Sequence, residues 1–331
     1  MKPRLLPDTR LIPSERGVVI CGPRHTAAVG APDLYPWIER LRPFLDGGRS
    51  REDLVAGLPP EVARQVDGVL GLLVREGFVR DAAADEAHTL SPAVRERHAA
   101  MIDFIELQSP DSPERRFERY RRSAPVVLGS GRLACAVALA LLQTGVEFVR
   151  LHTPGSAARE EASAHVDRLV ECAATVLHDD PEARFQHSDG DTDRELDSAI
   201  AGAGALLFCA DADGAGTVAM AERIEALARR AEAPYGRILV ANDRAYISVV
   251  GAVSAVSAVG KGTTAEATGF ADRSSPSPDG RISPYLAGPT AALAAHQLCL
   301  HLLSFAAGLG EDDEGAELDL ATARFDQVRA W

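Results

Sequence analysis

The spacing of apolar positions changes twice along the chain. Between residues 8 and 30 apolar and polar positions alternate in three short runs, "TRLIP", "GVVICG" and "HTAAVG", punctuated by Gly and Pro. A period of two puts successive side chains on opposite faces, so these runs predict a three-stranded meander. From residue 34 the period lengthens, predicting helices over 34–45 and 50–57; Ser50 with Asp53 three residues on gives the second a capping box. "PPEVARQVDGVLGLLVREGFV" predicts a third, longer helix. Pro60 opens it, Val62, Val66, Val69, Leu70 and Leu73 share a face, and Gly77 closes it. The three strands and three helices within residues 1–82 form a winged-helix-like module.

Residues 83–122 read as linker and helix. "DAAADEAHTLSP" is polar, "AVRERHAAMIDFIEL" is helical in pattern, and "SPDSPERRFERYRRS" is a charged, Pro-punctuated lead-in. From Pro125 the pattern alternates strand and helix: "APVVLGSG", "RLACAVALALLQTG", "VEFVRLHT", then "ALLFCAD", a helix near 218–232, "GRILVAND" and "AYISVVGAVSAV". Such alternation predicts an α/β domain over 123–331, a Rossmann-like, doubly wound, mainly parallel sheet. "SPYLAGPTAALAAHQLCLHLLSFAAGLG" adds a long buried helix.

Charge narrows the function classes. The 331 residues carry a formal net charge of -13, which argues against nucleic acid as a partner, because that binding runs on Lys and Arg neutralising phosphates. On the predicted third helix Arg64 and Arg75 face Glu61, Asp67 and Glu76, so a DNA-binding regulator is disfavoured although winged-helix units often bind DNA. Lys2 and Lys261 are the only lysines. No apolar run approaches 18 residues and "MKPRLLPDTR" is no signal peptide, so no membrane partner and a cytoplasmic location are expected. Cys21, Cys135, Cys172, Cys209 and Cys299 are never spaced as CxxC and read as buried reduced thiols. In "HQLCLH", His296 and Cys299 share a helix face that His301 leaves, so no metal site is expected.

Candidate chemistry centres on one turn. Gly129, Gly131 and Ala134 fit G-x-G-x-x-G/A between a strand and a helix, the context in which a phosphate sits at a helix N-terminus. The carboxylate that should close the second strand and hold a ribose is replaced by His152 and Thr153. The turn is then a phosphate-only site, a degenerate site, or purely structural. Asp211 and Asp213 end a strand where a ligand crevice is expected; one of them either holds magnesium or caps the next helix.

Those residues resemble the adenylating domain of ubiquitin-activating-type enzymes. The likeness runs through "VVLGSGRLACAVALALLQTGVEFVRL", "ALLFCAD", "ILVANDRAYISVVGAV" and "AGPTAALAAHQLCLHLLSFAAGLG", and implies that Asp211 matches the family's magnesium aspartate. The family's lysine after the second strand has no counterpart, since 154–205 contain none; Arg159 matches its arginine only loosely, and the paired CxxC motifs are missing. Adenylation needs cations against charge on the α-phosphate, so the departures imply a pseudoenzyme with no cofactor, or a vestigial ATP and magnesium site at Gly129, Gly131 and Asp211.

"LYPWIERLRPFLDGGRSREDLVAGLP" with "LLVREGFV" resembles the peptide-recognition modules of ribosomal peptide natural-product pathways. Fused to a degenerate ubiquitin-activating-like domain, it is similar to the leader-peptide-binding (ocin-ThiF-like) partners of YcaO azoline cyclodehydratases. The resemblance implies a non-catalytic subunit that binds a precursor's leader and presents its core to a YcaO enzyme. The leader would add to the strand edge at Thr26, Ala28 and Val29 and lie against Val62, Val66, Val69 and Leu73. The long apolar helix implies a homodimer. The rival expectation is an ATP-dependent adenylating enzyme acting on a peptide carboxylate.

Overall fold

A computed structural model describes the chain outside residues 32, 110, 155–158, 191, 212–214, 253–282, 284, 311–314 and 329–331. Asp213, Lys261 and positions 253–256 of the predicted "AYISVVGAVSAV" strand therefore lie outside the described residues, as does the side chain of Arg159. The chain divides into two compact units, Met1–Phe117 and Glu118–Trp331.

The first unit contains the expected meander: β2 (Arg10–Ser14), β3 (Gly17–Cys21) and β4 (Thr26–Val29) pair antiparallel in that order. A two-stranded ribbon joins it, formed by β1 (Pro3–Leu5) and β5 (Val79–Asp81) with Pro3 opposite Asp81. Helices α1 (Leu34–Leu41), α2 (Arg51–Val55) and α3 (Pro60–Arg75) lie between. At the start of α2 both bonds of the capping box form, Asp53 N to Ser50 Oγ at 3.1 Å and Ser50 N to Asp53 Oδ2 at 2.9 Å. Gly77, at φ +74°, follows the end of α3 in the left-handed conformation. Val18, Ile20, Ile38, Leu41, Val66, Leu70, Leu73 and Phe78 bury the apolar faces together.

Two further helices, α4 (Pro92–Arg97) and α5 (Ala99–Gln108), belong to this unit too. Buried Glu106 of α5 holds Arg80 at 2.6 Å and Arg4 at 2.7 Å, and Arg80 reaches both oxygens of Asp85. Removing one partner of such a network leaves an uncompensated buried charge. Residues read from sequence as linker are thus pinned to the β1–β5 ribbon by charge.

The lead-in before the sheet differs from its sequence reading. Pro113–Arg121 is a helix, α6, and beyond Phe117 it belongs to the second unit, with Tyr120 and Arg121 buried. Arg121 gives two hydrogen bonds to Asp180, at 2.7 and 3.1 Å, and one to the Gly145 carbonyl at 3.1 Å. The charged lead-in thus contains a buried, bidentate ion pair.

The second unit is an eight-stranded sheet. Strands β6 (Pro125–Leu128), β7 (Phe148–Thr153), β8 (Arg184–Asp189), β9 (Ala205–Ala210) and β10 (Tyr235–Ala241) run parallel in the order β10-β9-β6-β7-β8. Strands β11 (Arg244–Ile247), β12 (Gly315–Asp319) and β13 (Arg324–Val328) extend the β10 side antiparallel. Helices α7 (Arg132–Gln143), α8 (Arg159–Asp179), α9 (Asp193–Ile200), α10 (Ala215–Arg230) and α11 (Gly288–Ala307) complete it. Val126, Leu128, Leu206 and Phe208 meet α9 and α10 through Leu196, Ile200 and Ile224. The other face of the sheet is packed by α7 and α11.

Helix α11 is long and apolar enough to cross a membrane, contrary to the sequence reading that found no such run. Its Ser, Gln and His residues interrupt the apolar run, yet the mean hydropathy over the helix stays at 1.3. Ala291, Ala294, Ala295, Leu298, Leu302 and Leu303 are buried inside the protein.

Candidate functional site

Two places combine an exposed backbone or a helix end with polar side chains. The first is the free edge of β4. Gly22 N donates to His25 O at 3.0 Å, so residues 22 and 25 form a hydrogen-bonded pair. Along antiparallel strands bonded and non-bonded pairs alternate. With Cys21 opposite Thr26 and Val19 opposite Ala28, the backbone groups of Thr26 and Ala28 point away from β3, toward the open edge. Both residues are exposed, while half-buried Val29 packs on the core.

Two residues beyond β4, at Ala31, a groove of about 290 Å³ begins between α1 and α3. Asp33, Leu34 and Trp37 line one wall, Gln65, Gly68 and Val69 the other. Asp33 stands at the N-cap of α1 without capping it, so its carboxylate remains at the rim. Of the four apolar positions assigned to a peptide from sequence, only Val69 lines the groove. Val66 and Leu73 are core residues and Val62 is half-buried outside the groove. The strongest apolar stripe of a helix is what its own core takes; the open wall is the adjacent face of the wheel. Trp37, Gln65 and Gly68 escaped sequence reasoning, and Trp37 within "DLYPWIERL" was the one visible signal.

The second place is the glycine turn. It joins β6 to α7 as expected, and the structure brings Gly129, Gly131 and Asp211 together. Asp211 follows β9; its Oδ2 accepts from Arg132 N at 2.5 Å and its Oδ1 from Leu133 N at 3.0 Å. These amides begin α7, where the helix dipole favours an anion. The anion present is the protein's own carboxylate. A Cβ on Gly131 would overlap that carboxylate, and one on Gly129 would overlap the Cys209 carbonyl and press on Ala134. Internal packing alone therefore accounts for both glycines. Burial pushes the Asp211 carboxyl above the usual carboxylate range, and the amides of Leu133 and Arg132 pull the other way.

The ribose position offers no acid. His152 Nδ1 is 3.0 Å from Ser188 Oγ, and Thr153 Oγ1 is 3.0 Å from His187 Nε2. Burial lowers the pKa of the His152 imidazole against the opposing pull of the Gly190 backbone and Asp189, and desolvation lowers that of His187, whose residue is largely exposed. Among the described residues no cluster of three or more His, Cys, Asp or Glu could hold a metal. In "HQLCLH", His301 is buried against Gln297, His296 is exposed, and Cys299 points at the Val137 carbonyl. Cys135, Cys209 and Cys299 are buried as expected, with burial raising the Cys135 thiol to about 12; Cys172 is exposed and Cys21 half-buried, against expectation.

No protein-family model matches the chain, and no curated protein matches it in sequence. Solved structures match in fold. E. coli MccB with AMPCPP and MccA superposes with a TM-score of 0.59 at 13% identity, over 100% of this chain and 97% of that one. The microcin C7 biosynthetic enzyme MccB with N-formylated MccA gives 0.60 at 14%, with the same coverage. PaaA gives 0.66 at 14%, over 97% of this chain and 98% of that one. The shared fold is a Rossmann-type α/β arrangement with a mostly parallel sheet, and the match spans both units of the chain.

Proposed function

We propose that the chain grips a ribosomally made precursor peptide through its first unit and presents it for modification. The observation that carries this reading is the free edge of β4, with the outward ladder groups of Thr26 and Ala28, leading into the groove at Trp37 and Gly68. Main-chain bonds to such an edge give affinity and a neighbouring pocket gives specificity. That MccB, a microcin biosynthetic enzyme, has been solved with MccA supports a peptide as ligand.

The closed glycine turn and the missing lysine favour a non-catalytic subunit. Its partner is then a separate YcaO-family cyclodehydratase, the core peptide is converted to azolines there, and the subunit pairs as a homodimer in the cytoplasm. Holding the leader would raise the core's local concentration at the enzyme to about millimolar when the tether is short. The specific rival is ATP-dependent adenylation of a peptide carboxylate, favoured by MccB having been solved with ATP and with AMPCPP.

The test is fluorescence anisotropy of the full chain with a labelled precursor encoded beside it. The leader binds and the leaderless core does not. Equal binding of both would sink the proposed division between leader and core.

A further inference from the structure

One helical face of the second unit lacks charge. Across the chain 25% of residues are Asp, Glu, Lys or Arg, yet the 20 residues of α11 contain none, and neither does α7 beyond Arg132. A helix on a solvated surface normally turns charged residues outward. The two helices pack side by side, with Cys299 Sγ 4.0 Å from the Val137 carbonyl. Positions three and four apart share a helix face. On α11 the face turned from the core is Pro289, Leu293, His296, Gln297, Leu300 and Ser304, with Leu293 and Leu300 38% and 36% exposed. On α7 it includes half-buried Ala136 and Leu139.

The spacing along α11 is symmetric. Leu293 and Leu300 lie equally far on either side of the peptide bond between His296 and Gln297, and so do Pro289 and Ser304. A two-fold interface requires such self-complementarity, because residue i meets j and j meets i. Two antiparallel copies of α11 centred on that bond set Leu293 against Leu300 of the second copy, twice. The two His296 meet at the axis, where neutral imidazoles supply one donor and one acceptor each. Gln297 spends one end of its amide on buried His301, at 2.7 Å, and turns the other to the interface. Antiparallel helices oppose their dipoles, and an uncharged stripe brings no like charges together at the axis. A different protein docking there would not call for a symmetric stripe.

We propose that this face pairs two copies of the chain, α11 antiparallel against α11, about a two-fold axis at His296. The outer residues of α7 extend the contact beside it. The inference rests on the homodimer of the reading above and gives it a surface and a direction.

The test is sedimentation velocity of the full chain over a concentration series, with two sets of variants. The wild type sediments as a dimer, and the double variant Leu293→Glu, Leu300→Glu as a monomer whose far-UV circular dichroism is unchanged. In a Cys172→Ser background, Leu293→Cys and Leu300→Cys chains form an intermolecular disulfide under mild oxidation when mixed, and neither does so alone. Identical positions of the pair stand about 10 Å apart along the axes, beyond the roughly 7 Å reach of a disulfide. A double variant that stays dimeric, or cross-linking in each cysteine variant alone and not in the mixture, overturns this surface while leaving the homodimer standing. A wild type that is monomeric at every concentration overturns both, whether or not the chain then binds phosphatidylcholine vesicles.

Discussion

Two pairs of glycines in this chain invite opposite readings from sequence and from structure. Gly129 and Gly131 carry a phosphate-binding fingerprint, yet a Cβ on either would strike the protein itself. Gly68 and Gly71 sit unremarked inside α3, where a Cβ would meet nothing within 4 Å. Each costs the helix about 1 kcal/mol relative to Ala with no internal packing to explain it, and Gly68 lines the groove. A glycine fingerprint marks a close approach; only the structure says whether the approaching atom is a ligand's or the protein's own.

The comparison breaks most sharply at Gly131. Gly131→Ala should destabilise the second unit by about 1–3 kcal/mol through overpacking, read by urea unfolding. If the Asp211 carboxylate is the obstacle, adding Asp211→Ala recovers part of that loss, and the double mutant costs less than the sum of the singles by about 1 kcal/mol. Strictly additive losses would mean that something else requires the glycine.

At Gly68 the effect is on affinity. Gly68→Leu should fill the groove and weaken leader binding about tenfold, equivalent to 1.4 kcal/mol, while Gly71→Ala, off the groove, stabilises α3 and leaves binding alone. Equal effects of the two on anisotropy would remove the groove from the account.

Ala28→Pro is smaller again. Its N–H points to the open edge, so Pro leaves the β3–β4 bonds intact and removes one donor to the peptide, a loss of about 1 kcal/mol. Unfolding of the meander would show instead that Ala28 faces β3.

The smallest effect is a pH slope. The Asp211 carboxyl is raised in the folded chain, so the native state binds its proton more tightly than the unfolded state does. That contribution is fully present below the unfolded value, about 4, and is lost as pH rises through the folded one. Wild-type stability minus that of Asp211→Asn should therefore fall with rising pH across this window. A rising difference would mean that the two amides outweigh burial.

The sequence made some of this legible for physical reasons. The meander, α3 and the strand–turn–helix at Gly129 rest on strict apolar periods and on Pro or Gly stops, which are local signals. The ribbon of β1 and β5 was hidden because each strand has three residues. Strand β8, "RFQHSD", is a half-exposed edge without an apolar run. The bidentate pair of Arg121 with Asp180 joins residues 59 apart in sequence, so nothing near "ERYRRS" announces a buried guanidinium. Of Val62, Val66, Val69 and Leu73, Val66 and Leu73 lie in the core and Val69 both joins the core and lines the groove, because an apolar period marks the buried stripe of a helix and not the open face beside it.

The most direct measurement is ATP–pyrophosphate exchange by the full chain with its precursor peptide and magnesium. A glycine turn filled by Asp211 and unsupported by lysine predicts exchange no faster than in Gly131→Ala. Robust exchange that disappears in Asp211→Ala would contradict the account, showing that the carboxylate leaves the α7 amides to make room for a nucleotide and that the chain is an adenylating enzyme.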